Sequence, residues 1–158
     1  MSNSLFVYGT LMFSEITFKL LEHTVDARPA ILKNYARASL VKRGSKAKGP
    51  AIFPDSTQMV EGVLLSNLTP RDLNIIHCYE EEARGYQICA VQVELSDGLM
   101  VQTQTYELEE SFRENISGEW SKDDFAKNHL NYYLNERIPQ FLTKWRYNKI
   151  ENEKKEEE

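Results

Sequence analysis

Cysteine, basic surplus and long apolar runs are all scarce in this chain. Only two cysteines, Cys78 and Cys89, occur in 158 residues. That is too few for the disulfide framework of a small secreted domain, so two ordinary thiols in a reducing, cytoplasmic compartment are expected. No stretch approaches the roughly 20 apolar residues that a membrane-spanning helix needs. No leader-like pattern of positive charge followed by apolar residues precedes Leu5. Membrane association is therefore not expected. Nor is there an excess of cations, since 19 Lys and Arg face 24 Asp and Glu for a net charge of -5. Nucleic-acid binders usually show the opposite balance. The one basic patch, Lys42, Arg43, Lys46 and Lys48, has no interleaved aromatic residues to stack on bases, so nucleic acid is not an expected partner.

Other chemistries are excluded by spacing. His23, His77 and His129 lie far apart and show no metal-ligand pattern, so no metal is expected. Gly44 and Gly49 are spaced as in a phosphate-binding loop, yet Pro50 and Ala51 stand where Lys and Ser or Thr would be needed. The segment reads as a flexible basic loop. No Ser or Cys sits in a recognised nucleophile motif, and Cys78 reads as a half-buried structural thiol.

What remains is a chain of interspersed strands and helices. Leu5 to Tyr8 predicts a short buried strand stopped by Gly9 and Thr10, followed by a helix from Ser14, as its cap, to about Glu22. Ala27 to Lys42 predicts one or two strands broken near Lys33 and Asn34. Gly49 to Pro54 reads as a short extended piece pinned by prolines. Met59 to Leu65 reads as a strand in which Gly62 permits the close approach of another backbone. Thr69, Pro70 and Asp72 announce a capped helix to about Tyr79. Tyr86 to Leu95 and Leu99 to Leu108 predict a hairpin turning at Ser96, Asp97 and Gly98. Ser121 and Asp124 form a second cap, and the apolar spacing from Phe125 to Trp145 is helical, with Pro139 expected to kink or restart that helix. The composition predicts one α+β domain over residues 1–147 and a charged, disordered tail over 148–158.

A strand that stops at glycine and turns toward a helix presents backbone N–H groups, and such amides suit a carboxylate or phosphate. The stretch that does so here, Val7-Tyr8-Gly9-Thr10-Leu11-Met12, resembles the signature of the gamma-glutamylcyclotransferase-like family, of the gamma-glutamylamine cyclotransferase type. Further matches follow in the family's order: Gly49-Pro50-Ala51-Ile52, then Val60 to Leu65, then Leu68-Thr69-Pro70 before a helix ending in Tyr79-Glu80. Tyr86 with Val91 to Val93, Thr105-Tyr106, and Gly118 to Ser121 continue the series, and the resemblance covers Leu5 to Leu134. It departs at His77, where the family commonly has Asp, and at Ile88, where it often has Arg.

The resemblance implies a mixed, partly closed β-barrel flanked by helices, with a pocket at one end. It implies a small-molecule gamma-glutamyl substrate, cyclised by its own α-amine to 5-oxoproline with release of the free amine. Tyr8, Gly9, Thr10 and Leu11 would hold the α-carboxylate, and Glu80 would serve as general acid/base. No cofactor is implied, and a monomer is the default. The chemistry is sound, because an α-ammonium titrates near about 8 and is within reach of a carboxylate base. Just past a helix end and beside Tyr79, Glu80 would meet opposition to its negative charge from the helix dipole and from burial. Glu81 and Glu82 read as loop residues. His77 would tune Glu80 if it faced the pocket, but a surface imidazole is the simpler reading. Tyr86 and Tyr106 read as pocket-lining or plain packing residues. The competing function is a binding module that keeps the pocket without catalysis.

Overall fold

The structure is a computed structural model that describes residues 3–41, 48–81 and 85–157. The basic loop at 42–47 and Glu82 lie outside the described residues. Five strands form one sheet: β1 (Leu5–Val7), β2 (Asp26–Val41), β3 (Lys48–Ser66), β4 (Tyr86–Leu95) and β5 (Met100–Leu108), in the order β1-β3-β2-β4-β5. Helix α1 (Ser14–Leu21) follows β1, and α2 (Pro70–Glu81) joins β3 to β4. The chain ends in α3 (Lys122–Asn128), α4 (Leu130–Tyr132), a π turn (Tyr133–Arg137) and α5 (Ile138–Glu157).

Every strand pairing among the described residues is antiparallel, which corrects the expectation of a mixed sheet. The parallel neighbours are instead the two edges. β1 runs alongside β5 and is joined to it by side chains: Thr105 Oγ1 donates to the Phe6 carbonyl at 2.9 Å, and Tyr8 OH to the Tyr106 carbonyl at 2.5 Å. Ser4 and Thr103 share a hydroxyl contact at 2.7 Å. The sheet therefore curls toward a barrel without closing by a backbone ladder.

This curl explains why Leu5 to Tyr8 is apolar without alternation. Leu5 and Val7 face a core built with the helices, from Ile16, Leu20, Ile75, Ile76 and Tyr79. Phe6 and Tyr8 face the barrel interior, against Leu32, Ile52, Leu64 and Val93. Buried on both sides, β1 needs an apolar or aromatic residue at every position. Gly62 of β3 lies under it: a Cβ there would meet the Val7 carbonyl oxygen at 2.4 Å and the Phe6 ring at 2.5 Å.

Several element boundaries differ from the sequence expectation for local reasons. The two pieces Gly49 to Pro54 and Met59 to Leu65 belong to the single strand β3, because β2 pairs with both. The break expected near Asn34 is a register shift: Lys33 pairs with Met59 and Tyr35 with Pro54, so Asn34, at φ 68°, stands opposite the extra residues 55–58 of β3. Ser14 does not cap α1; Phe13 holds that position, and Ser14 Oγ contacts Glu15. Helix α2 continues to Glu81, so Glu80 lies in its last turn and Glu81 is helical rather than loop. Pro139 follows a π turn, where the widened ladder accommodates its missing N–H. The helix then runs through the charged segment that composition predicted to be disordered. Glu and Lys are good helix formers and here extend a helix already anchored by buried Phe141 and Leu142.

The cap on α2 forms as the sequence indicates. Asp72 N donates to Thr69 Oγ1 and Thr69 N donates to Asp72 Oδ2, both at 3.0 Å. His23 Nε2 lies 2.7 Å from the other Asp72 oxygen. Burial alone would raise the Asp72 pKa, but the Thr69 amide and His23 outweigh it and hold the carboxyl below its ordinary range. The Asp72 hydrogen bond, with a smaller contribution from the Thr24 carbonyl, raises His23. A lowered acid contributes stability that is lost as pH falls through its folded pKa, and a raised base contributes stability that is lost as pH rises through its own. The stability difference between the protein and Asp72→Asn should therefore be largest between those two values and shrink on both sides, as urea midpoints measured across pH would show. Thr69→Ala should cost about 1 kcal/mol at neutral pH.

Candidate active site

The Tyr8 to Leu11 loop and Glu80 open into one cleft. Its walls also include Gly49, Pro50, Tyr79, Tyr86, Tyr106, Tyr133 and Arg137. Each reaches it by a different route. β1 delivers Tyr8 to its end, and a 3-10 turn, Thr10–Met12, begins directly after Gly9. The first amides of such a turn have no acceptor within it. Its geometry is fixed by Met12 N donating to the Gly9 carbonyl at 3.0 Å. Arg37 of β2 holds the strand end from outside: Nη1 donates to the Tyr8 carbonyl at 2.9 Å and to the Glu61 carbonyl at 3.1 Å, while the guanidinium stacks on Trp120 at 5.1 Å. Burial pushes the Arg37 pKa down.

Glycine is required at position 9 by close approach. A Cβ there would lie 2.2 Å from Pro50 Cγ, so the loop and the start of β3 are pressed together. Helix α2 supplies the facing wall. Ile75, Ile76 and Tyr79 form its buried face, and Glu80, one position further round, is half-buried at the cleft. Tyr79 OH meets Thr10 Oγ1 at 3.0 Å, tying the end of the helix to the loop, and its ring packs edge-on against Phe141.

Five phenols surround the carboxylate. Burial first, and then nearby charges that in every case include Glu80, raises the pKa of Tyr8, Tyr79, Tyr86, Tyr106 and Tyr133. These hydroxyls stay protonated at neutral pH and act as hydrogen-bonding groups rather than bases. The direction of two of them is dictated by chemistry, because a backbone carbonyl can only accept. Tyr8 OH donates to the Tyr106 carbonyl at 2.5 Å, and Tyr86 OH to the Pro50 carbonyl at 2.7 Å. Both oxygens keep lone pairs for another partner. Arg137 brings a cation to the Tyr79 side, with its guanidinium 5.2 Å from the centre of the Tyr133 ring.

The comparisons with known proteins bear on the family and the fold. Residues 5–122 match the family described as gamma-glutamyl cyclotransferase, AIG2-like. The chain belongs to that family. It is 30% identical over 149 residues to AIG2-like protein C of Arabidopsis thaliana, covering 89% of this chain and 83% of that one. Its fold is similar to a solution structure from Arabidopsis thaliana, with TM-score 0.63 at 23% identity, covering 94% and 85% of the two chains. It is also similar to a structure titled gamma-glutamyl cyclotransferase, with TM-score 0.60 at 18% identity, covering 75% and 70%.

Within this gamma-glutamyl cyclotransferase-like chain, the structure brings Tyr8, Gly9, Thr10, Leu11 and Glu80 together at one site. Tyr86 and Tyr106 line it too, whereas Ile88 is exposed on β4, outside the cleft. Sequence reasoning missed Tyr133 and Arg137. They lie on the π turn, and the apolar spacing marks Tyr133 only as one more helix residue. Arg37 was missed as well; nothing in its sequence neighbourhood points to the Tyr8 carbonyl. Among the described residues, no group of three His, Cys, Asp or Glu could hold a metal. No helix there is long and apolar enough to cross a membrane.

The clearance at the loop gives a direct test. Gly9→Ala forces Pro50 or the loop to move and should cost about 1–3 kcal/mol, the usual range for overpacking. Gly49→Ala, whose Cβ would meet only the Tyr86 hydroxyl at 3.5 Å, should cost much less. Thermal melts of the two variants side by side would check this.

Proposed function

We propose that this chain is a gamma-glutamyl cyclotransferase acting on a gamma-glutamyl amine or gamma-glutamyl-amino acid, with Glu80 as general acid/base. The observation that carries the reading is the shared cleft, in which one carboxylate and the post-strand loop face each other among neutral phenols. The α-carboxylate of the glutamyl group would lie on the amides of Gly9, Thr10 and Leu11. The α-ammonium would lie near Glu80, where the carboxylate and the oxygen lone pairs of Tyr8 and Tyr86 all accept hydrogen bonds from N–H.

Glu80 takes a proton from the α-ammonium, which frees its lone pair. The amine nitrogen then attacks the γ-carbonyl carbon, forming the C–N bond of a five-membered lactam. As the tetrahedral centre collapses, the original amide C–N bond breaks and Glu80 returns the proton to the leaving nitrogen. The second proton of the attacking nitrogen is also released, and the departing amine ends as an ammonium. The products are 5-oxoproline and the free amine. Because the attack is intramolecular, the main task of the cleft is to fold the substrate so that nitrogen and carbonyl carbon meet. The rigid, buried loop end and the cap-anchored α2 supply that.

The test is incubation with a panel of gamma-glutamyl amines and gamma-glutamyl-amino acids, with 5-oxoproline as the readout. At least one compound should turn over. Glu80→Gln should lower kcat at least a hundredfold, the usual scale of general acid/base catalysis, while leaving the melting temperature unchanged. Normal turnover by that variant would remove Glu80 from the role. Binding of panel compounds without any turnover would mark the cleft as a non-catalytic binding module.

A further inference from the structure

His77 sits one helical turn before Glu81 on α2, at the surface end of the cleft wall. Its ring is 51% exposed, yet both nitrogens are engaged. Nε2 lies 3.1 Å from Glu81 Oε1, and Nδ1 lies 3.2 Å from the hydroxyl of Tyr106. Tyr106 is buried and is shared between two hollows. The cleft described above is one, and the other is lined by His77, Glu81, Gln87, Glu109 and Phe112. Glu80, Tyr86 and Tyr106 form the wall common to both.

The hydrogen-bond directions in this chain follow from what each group can do. An ionised carboxylate only accepts, so the nitrogen facing Glu81 must carry a proton. In a neutral imidazole the other nitrogen is then an acceptor. Nδ1 therefore takes the Tyr106 O–H, and the phenol oxygen is left with lone pairs only. We infer that His77, held by Glu81, is a positioning residue that turns the Tyr106 hydroxyl away from Glu80 and leaves its oxygen as a third acceptor for the substrate's α-ammonium. This rests on the cyclotransferase reading for the identity of the ammonium. The hydrogen-bond direction itself does not.

The alternative arrangement has different chemistry. Tyr106 and Glu80 line the same cleft, and the charge of Glu80 acts on the phenol; a Tyr106 O–H turned toward that carboxylate would stabilise its anion and weaken it as a base. His77 removes that option. With Tyr8 OH directed to the Tyr106 carbonyl and Tyr86 OH to the Pro50 carbonyl, all three phenols would then present acceptors. Such a set is suited to a bound ammonium. The exposed His77–Glu81 pair adds little to stability, so its effect lies in fixing a tautomer.

The test has two readouts. In uniformly 15N-labelled protein near pH 8, with the His77 signals assigned by loss in His77→Gln, Nε2 should be protonated and Nδ1 unprotonated. That bias should weaken in Tyr106→Phe. In 5-oxoproline assays, His77→Leu should lower kcat about tenfold with a smaller change in KM. His77→Asn, whose Oδ1 stands near the position of Nδ1, should recover most of the loss, and His77→Leu should cost nothing further in a Tyr106→Phe background. A proton on Nδ1, a tautomer indifferent to Tyr106, or an equal loss in both backgrounds would overturn the inference. The NMR measurement needs no turnover. An inactive protein with the Nε2–H tautomer would therefore sink the cyclotransferase reading while leaving the hydrogen-bond direction standing.

Discussion

The free edge of β1 is the constraint on which this structure turns. β3 satisfies one side of the strand by a regular antiparallel ladder, but the other side faces β5 in a parallel sense with no ladder. Buried backbone carbonyls need partners, and hydroxyls supply them across this seam. Thr105 serves the Phe6 carbonyl, and Tyr8 reaches the Tyr106 carbonyl. Thr105 is fully buried, so its hydroxyl is there for this bond rather than for solvent. The seam sets how far β1 penetrates between the helices and the barrel, and so where the loop after Tyr8 emerges. Arg37 completes the anchoring at the Tyr8 carbonyl.

From that anchored loop the electrostatics of the cleft follow. The tyrosine hydroxyls that stitch the fold together are the same ones that surround Glu80. Tyr8 closes the barrel seam, Tyr86 ties β4 to the Pro50 carbonyl of β3, and Tyr79 ties α2 to Thr10. For Tyr8 and Tyr86 these bonds to carbonyls decide which way the proton points, and the lone pairs left over define what the cleft can accept. Folding and binding thus use opposite sides of one phenol oxygen. Burial raises these phenols out of the titrating range, so they remain neutral next to a carboxylate.

Much of the fold was legible in the sequence wherever a signal was local. The Thr69–Asp72 cap, the Gly98 turn and the close contact at Gly62 each rest on a few neighbouring residues with a specific physical demand. The boundaries that shifted are those set by partners far along the chain. β3 is one strand because β2 pairs with it on both sides of residues 55–58, and Asn34 interrupts β2 without ending it because the same pairing resumes past it. The charged end of α5 is helical because the buried turns before it nucleate the helix. Composition alone carries no record of that nucleus.

The candidate site divides the same way. The chain by itself determined the glycine after a buried strand, the cap of the helix that carries Tyr79 and Glu80, and the order of the family's motifs, because each of these is written in contiguous residues. Only the tertiary structure decided that the loop and the carboxylate share a cleft, that Tyr133 and Arg137 join them from a π turn, and that His77 reaches the Tyr106 hydroxyl. These depend on how the sheet curls and where α2 docks on it. Distances between segments far apart in the chain, such as Thr10 and Tyr79, which are 69 residues apart, are fixed by packing of the whole core, which no local pattern encodes.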